Sequence, residues 1–446
     1  MRRGSPIVFV GLLGVSVVGV AGMLAQKSNA STDVFLPWLV VALGGWLAAM
    51  VLAPPAGRVG DAWVLAIGAV EIVVAIVRPI HFSGDVWSYA MYGRILEHYR
   101  ANPYVSVPSA YKGDPIMHRV SRVWQSTPSY YGAGFTLLSA GVMRAVGTSA
   151  LAARVVFQAI AGLALFSCGL LLRRRVPVAA SVALVCNPLL IVWVVNGAHT
   201  DTLIALGLLA GALLLPRSPV WAGVAIAGAL LVKVIVGFAA VGAAAWLWRR
   251  SRRDALVFAG VVAATAVPIY ALFGLHASLQ PLLHGAHQES RVSPWELVTH
   301  SGAVFPAVRS LGPWPAVGFV VVTLALLHRR WGTPAAPALV LAGVVGYLVA
   351  AAYILPWYVA WALPLAALEW ETPLARFVVA ESALLALAFV YRTVPHPDGM
   401  DRVLIAVAVL TRVVFAVVVI AILAAEARGL RARLGPAQRA ATRLRS

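Results

Sequence analysis

The chain reads as an all-α polytopic membrane protein crossing the bilayer about fourteen times, at roughly twenty apolar residues per span. Three observations predict this. Hydrophobic residues make up 61% of its 446 positions and charged residues 11%, and the mean hydropathy is +0.87, more apolar surface than a soluble domain can cover. The apolar runs are close to the length of a helix that crosses hydrocarbon and far longer than barrel strands. Basic residues fall in short clusters between those runs, as in the cytoplasmic loops that hold a membrane protein's orientation.

The elements follow in order. Arg2 and Arg3 precede an apolar run too long for a signal-peptide core, so a retained first helix is expected near 6–26 with its N-terminus inside. Helices near 35–53 and 61–80 then place residue 81 outside. The stretch 81–131 is polar and aromatic, carrying Tyr92, Lys112, Asp114, Arg119 and Arg122, and forms the main external loop. Residues 132–147 are short, glycine-rich and contain Arg144, which suits an interfacial helix. With 150–172 as the next span, Arg173, Arg174 and Arg175 fall inside; a span at 132–147 would put them outside.

Helix 177–195 runs outward, 196–201 is external, and 201–215 returns to Arg217. Residues 219–248 must go out and back. They are too few for two full spans, so short or broken helices are predicted there with Lys233 near the apex. Arg249, Arg250, Arg252 and Arg253 lie inside. Helix 255–275 leads to a second external loop, 276–313, with His284, His287, Glu289, Arg291 and Trp295. Helices near 314–328 and 334–355 flank His328, Arg329 and Arg330. Pro356, Trp357 and Tyr358 mark an outer turn into 358–369, and spans near 375–392 and 401–425 follow. Residues 1–425 are expected to form one transmembrane domain, with 81–147 as its main external loop carrying interfacial helices, and 426–446 a basic cytoplasmic tail.

The formal charge of +19 does not point to nucleic acid, because the arginines sit between apolar runs and in the tail, not on an aromatic-studded face. Cys168 and Cys186 lie within apolar runs and are expected to pack. The inside loops contain little but Arg, Gly and Pro, whereas the outside loops collect carboxylates, His, Asn, Trp and Tyr. The chemistry is therefore expected outside.

Asp85, at the exit of a membrane helix, suits a proton acceptor for an attacking hydroxyl. It equally suits the N-cap of the helix that follows. Lys233, deep in an apolar hairpin, should face a partner or a cavity, or else snorkel to an interface. Asp201 suits an N-cap or a sugar-binding acid. His199, Asp201, Asp85 and Glu289 could together hold a divalent metal, but they lack regular metal-ligand spacing, so no cofactor is expected and a metal stays the open alternative. Glu71 sits mid-helix with no evident partner. Trp38, Trp63, Trp314 and Trp361 suit interfacial belts, while Trp357 and Tyr358, after Pro356 at the expected outer turn, suit a ligand-stacking role instead.

Asp85 with Trp87-Ser88-Tyr89, Gly93, Asn102-Pro103-Tyr104, Thr127-Pro128 and Tyr131-Gly132 forms an ordered set. It continues in Asn187-Pro188, Asn196 through Asp201, Lys233 and Pro356-Trp357-Tyr358. The whole resembles the actinobacterial polyprenol-phosphomannose-dependent α-1,6-mannosyltransferases of lipomannan assembly, within the GT-C class of integral-membrane glycosyltransferases. The chain departs from them at Ser129-Tyr130 and Ala133, where many relatives have a Pro-Tyr-Gly-Pro run.

The resemblance implies a GT-C-like bundle in the plasma membrane with cytoplasmic termini and an inverting transfer on the periplasmic face. The donor would be polyprenyl-phosphate mannose, the acceptor a lipid-linked glycan of the lipomannan type, and the linkage α-1,6. Asp85 would be the general base. Lys233, Arg78 and Arg291 would meet the donor phosphate. His81, Tyr89, Arg94, Asn102, Tyr104, Tyr131, Asn196, His199, Asp201, Glu289, Trp357 and Tyr358 would contact sugar, acceptor or lipid. Two other readings stay open: the same fold with an arabinofuranose, glucose or other polyprenyl-linked donor, and a lipid-linked sugar flippase. The flippase is disfavoured because paired repeats and an ionisable path through the membrane are not evident.

Overall fold

The computed structural model describes residues 5–285 and 335–393, apart from 29, 56, 352 and 354. The helices expected at 314–328 and 401–425, the basic tail, and His287, Glu289, Arg291, Trp295 and Trp314 lie outside the described residues. Every regular element among those described is helical. Among the described residues six helices are long and apolar enough to cross a membrane: α1 (Pro6–Ala25), α2 (Thr32–Val51), α3 from Val59 to Val77, α7 (Ala150–Leu172), the stretch Val178–Val195, and α12 (Arg252–Ala271). The apolar helices α9 (Asp201–Leu214), α10 (Pro219–Val232) and α14 (Ala336–Ala350) are shorter.

Close backbone approach holds the first hairpin together. A methyl group on Gly19 would lie 2.3 Å from the Ala42 nitrogen, and one on Gly45 would lie 2.6 Å from the Ser16 nitrogen. Inside this layer Ser16 donates to Glu71 at 3.1 Å, so the mid-helix acid has a partner from α1. Trp46 donates to the Val182 carbonyl at 3.0 Å and ties α2 to α8 (Val178–Val185). The chain continues past Cys186 into a π-helical turn at Leu190–Val195, whose residues are all buried.

Contacts between helix ends divide the bundle into two faces. At one, the Arg174 amide donates to Asp61 near the start of α3, and Val178 packs on Gly60. This face therefore holds the Arg173–Arg175 turn. At the other, Arg78 donates to the Leu24 carbonyl at 2.7 Å, Arg154 bonds the carbonyls of Ile76 and Arg78, and Asn196 bonds the Pro79 carbonyl. The ends of α1 and α3, the start of α7 and the end of the π-helical turn therefore meet there.

From there α4 (Asp85–Glu97) leads into the long loop expected to be external, which contains the short α5 (Arg122–Gln125), and then into α6 (Ala133–Val146). The amide before α6, on Gly132, bonds the carbonyl of Val232 at the end of α10, and α7 begins three residues after α6 ends. Both termini of α6 thus lie toward the face opposite the arginine triplet. The hairpin of 219–248 is broken as expected. Helix α10 stops at Val232, Lys233 is extended (φ −153, ψ 112), a 3₁₀ turn covers Val234–Val236, and α11 runs Gly237–Arg250. Four β-branched residues around the lysine (Val232, Val234, Ile235 and Val236) disfavour continuing the helix.

Candidate active site

Asp85 is the first residue of α4, and Gly84 occupies the cap position without a side-chain cap bond. The capping reading of Asp85 is therefore corrected, since its carboxylate turns to other groups. Trp124 of α5 donates its indole N–H to Oδ1 at 3.2 Å, Tyr131 donates its hydroxyl to the same carboxylate, and Oδ2 lies 3.7 Å from His199 Nδ1. Burial pushes the Asp85 carboxyl up to about 6, while the charge of Lys233 and the bonds from Trp124 and Tyr131 pull it back. A carboxylate tuned to that range is ionised at neutral pH and still basic enough to take a proton.

His199 is delivered by the loop between the π-helical turn and α9. Asn196 clamps that loop: its amide donates to the carbonyls of Ala75 and Pro79, both at 2.9 Å, and its oxygen accepts from the His81 amide. The imidazole stacks on Trp357 with centroids 3.9 Å apart and planes 20° from parallel. Burial, reinforced by Lys233, pushes the imidazole well below its ordinary range. It therefore faces Asp85 as a neutral ring, not as half of an ion pair. Tyr89 places its hydroxyl 3.5 Å from the same Nδ1.

Lys233 is only 9% exposed, so it does not snorkel. Its Nζ lies 3.4 Å from Asp201 Oδ1, 4.2 Å from the Tyr358 ring centroid and 5.4 Å from that of Trp361. Asp201 is the first residue of α9 and Thr200 holds the cap position, so the capping reading of Asp201 is corrected as well. Trp361 donates to the same Asp201 oxygen at 2.7 Å and is 1% exposed, which removes it from the interfacial belt. The 3₁₀ turn Pro356–Trp361 explains this placement. Residues three apart eclipse in such a turn, and Tyr358 and Trp361 stack at 4.3 Å over the ammonium.

Asp85, His199, Asp201, Lys233, Trp357 and Tyr358 are thus brought together, with Tyr89 and Tyr131 beside the carboxylate. Other expected site residues have their polar atoms taken up within the protein. Arg94 pairs with buried Asp114 at 2.6 Å, and Tyr99 bonds the same oxygen. Asn102 donates to the Phe273 carbonyl and accepts from the Tyr104 amide. The Tyr104 hydroxyl bonds Tyr131 O and Thr136. His81 sits between the Pro79 and Gln26 carbonyls, and Arg78 is held on Leu24. These residues build the walls of the site. Trp124 and Trp361 escaped sequence reasoning. The only signal for Trp361 was its three-residue spacing from Tyr358. Among the described residues no three His, Cys, Asp or Glu side chains gather as metal ligands.

Three polar atoms of one tripeptide are buried without a protein partner: His199 Nε2, Thr200 Oγ1 and Asp201 Oδ2. Asp61, Glu71, Ser88, Ser139 and Trp193 each carry one more such atom among the described residues; the three at 199–201 differ in lying beside the contact of Asp201 with Lys233.

Residues 4–250 match the family described as Alpha-(1->6)-mannopyranosyltransferase, N-terminal domain. The chain is also similar to the Alpha-(1->6)-mannopyranosyltransferase A of Mycobacterium tuberculosis, with 24% identity over 449 residues covering 88% of this chain and 84% of that protein. No solved structure matches.

Proposed function

The chain belongs to the alpha-(1->6)-mannopyranosyltransferase family and is a membrane glycosyltransferase, and from that premise we propose that it moves mannose from polyprenyl-phosphate mannose to a lipid-linked glycan, with inversion and α-1,6 linkage. The acceptor hydroxyl loses its proton to Asp85 as its oxygen bonds the anomeric carbon. The bond from that carbon to the phosphate oxygen breaks, and polyprenyl phosphate leaves with the electron pair. Lys233 stabilises the charge that grows on the departing phosphate, the role that preorganised cations serve in such transition states. His199, Asp201, Trp357 and Tyr358 hold the sugar.

The observation that carries this reading is the convergence of Asp85, from the external loop, with Lys233, from a helix break. The two are close enough that the lysine's charge acts on the carboxylate. The periplasmic side is supported by Arg173, Arg174 and Arg175, which lie on the face opposite Asp85 and mark a cytoplasmic end.

The test is to incubate purified protein with labelled polyprenyl-phosphate mannose and a mannose-terminated lipid acceptor. Wild type should add one hexose per turnover, and Asp85→Asn should lose about a thousandfold in kcat. Near-normal turnover by that variant would remove Asp85 from its role. A product formed only from an arabinofuranose or glucose donor would decide against mannose.

A further inference from the structure

The carboxylate of Asp85 divides two unlike surroundings. Oδ2 faces inward, to His199 and beyond it to Trp357, Lys233 and Trp361, which are all 9% exposed or less. Oδ1 faces outward, to the indole of Trp124. Trp124 is half-buried and meets half-buried Tyr130 edge to face, with centroids 5.9 Å apart. The segment that carries them is not slack. Gln125 donates to Val120, Thr127 to Val123 and Tyr92 to Thr127, while Ser129 is tied to Pro103.

We infer that Trp124 and Tyr130 form the acceptor subsite, a carbohydrate-binding platform for the terminal pyranose of the acceptor glycan, and that Oδ1 is the oxygen that takes its proton. This rests on the proposed transfer reaction. The inward side has the cation and the enclosed aromatic walls suited to a sugar phosphate. The outward side has half-buried aromatic rings in place of a cation, which suits the C–H face of a pyranose attached to a long glycan that must remain outside. A carboxylate oxygen carries two lone pairs. The indole N–H holds one and so aims the other at the ring seated on Trp124. The acceptor O–H breaks, its proton passes to Oδ1, and its oxygen attacks a donor carbon held on the Oδ2 side.

The platform is tested by steady-state kinetics of the full-length protein in detergent with the mannose-terminated acceptor and polyprenyl-phosphate mannose. Trp124→Ala should raise the acceptor KM about tenfold while leaving the donor KM within about twofold, because only the outward ring is lost. Trp124→Phe keeps the ring and loses the N–H. It should largely restore the acceptor KM, lower kcat about threefold to tenfold, and move the acid limb of the pH profile upward, since the ionised carboxylate has lost a donor. An unchanged acceptor KM in both variants, or a donor KM that rises as much as the acceptor KM, would overturn the subsite while leaving the transfer reaction standing. A wild-type protein that makes no mannosyl product would overturn the reaction and the subsite together. If Trp124→Ala does not fold, the kinetics of Trp124→Phe and of Tyr130→Ala, which should raise the acceptor KM alone, decide the matter.

Discussion

The loop after α4 and the helix break both present charged residues at the same face of the bundle, and they treat those charges in opposite ways. In the loop, Arg94 and Asp114 are buried against each other at 2.6 Å, Tyr99 completes the acid, and Asn102 has both ends of its amide engaged. At the break, Lys233 and Asp201 meet only at 3.4 Å, and Asp201 keeps one oxygen buried and unpaired. A buried polar atom left without a partner costs about 1–3 kcal/mol, so such a strip persists only where another requirement maintains it. A charge near an active face is therefore a poor guide to chemistry. Asp61 and Glu71 also keep one buried oxygen without a partner among the described residues, so incomplete pairing points to chemistry only where opposite charges converge, as at Asp201 and Lys233.

Three substitutions would break or sharpen this contrast. Lys233→Met should have the largest effect on catalysis, a loss of about a hundredfold to a thousandfold in kcat/KM, because the departing phosphate loses its cation. A small loss would place Lys233 among the architectural residues. Arg94→Met should act on the fold instead. Leaving Asp114 buried without its arginine should cost about 3–5 kcal/mol of stability, read as a lowered unfolding midpoint in detergent. The protein that remains folded should turn over within about twofold of wild type, since no transition-state contact is removed. A specific loss of kcat without a change in stability would move Arg94 into the active site. Trp361→Phe should have the smallest effect, a drop in kcat of about threefold to tenfold. The ring stays over the ammonium, while Asp201 loses one hydrogen bond worth roughly 1 kcal/mol. No change in kcat would show that Asp201 needs only Lys233 to hold its place.

The same contrast explains what the sequence revealed. The broken hairpin was legible because about thirty residues cannot make two full spans, and Lys233 was legible because an ammonium among Val, Leu and Ala demands a partner. Asp85, His199 and Asp201 stood out as polar residues at helix mouths. Their capping alternatives failed for a reason the sequence does not carry. Gly84 and Thr200 had already taken the cap positions, and the carboxylates were drawn to neighbours distant in the chain. The pairing of Arg94 with Asp114 was hidden because they lie twenty positions apart, with mostly irregular chain between them. Trp361 was assigned to a belt because tryptophans at helix ends usually go there. Only the 3₁₀ geometry of Pro356–Trp361 turns its ring and its N–H inward.

The account stands on Asp85 and Lys233 sharing one cleft, and the pH dependence of kcat/KM tests that directly. In wild type the rate should rise with pH as Asp85 ionises, with an acid limb near the value of about 6 set mainly by burial. Below that limb the carboxyl is protonated and cannot accept the hydroxyl's proton, so activity should fall about tenfold per pH unit. The ammonium of Lys233 favours the ionised carboxylate, so removing it in Lys233→Met should move the residual activity's acid limb to higher pH. A limb that stays where it was in wild type would mean that the two groups do not act on each other, and the proposed chemistry would have lost its site.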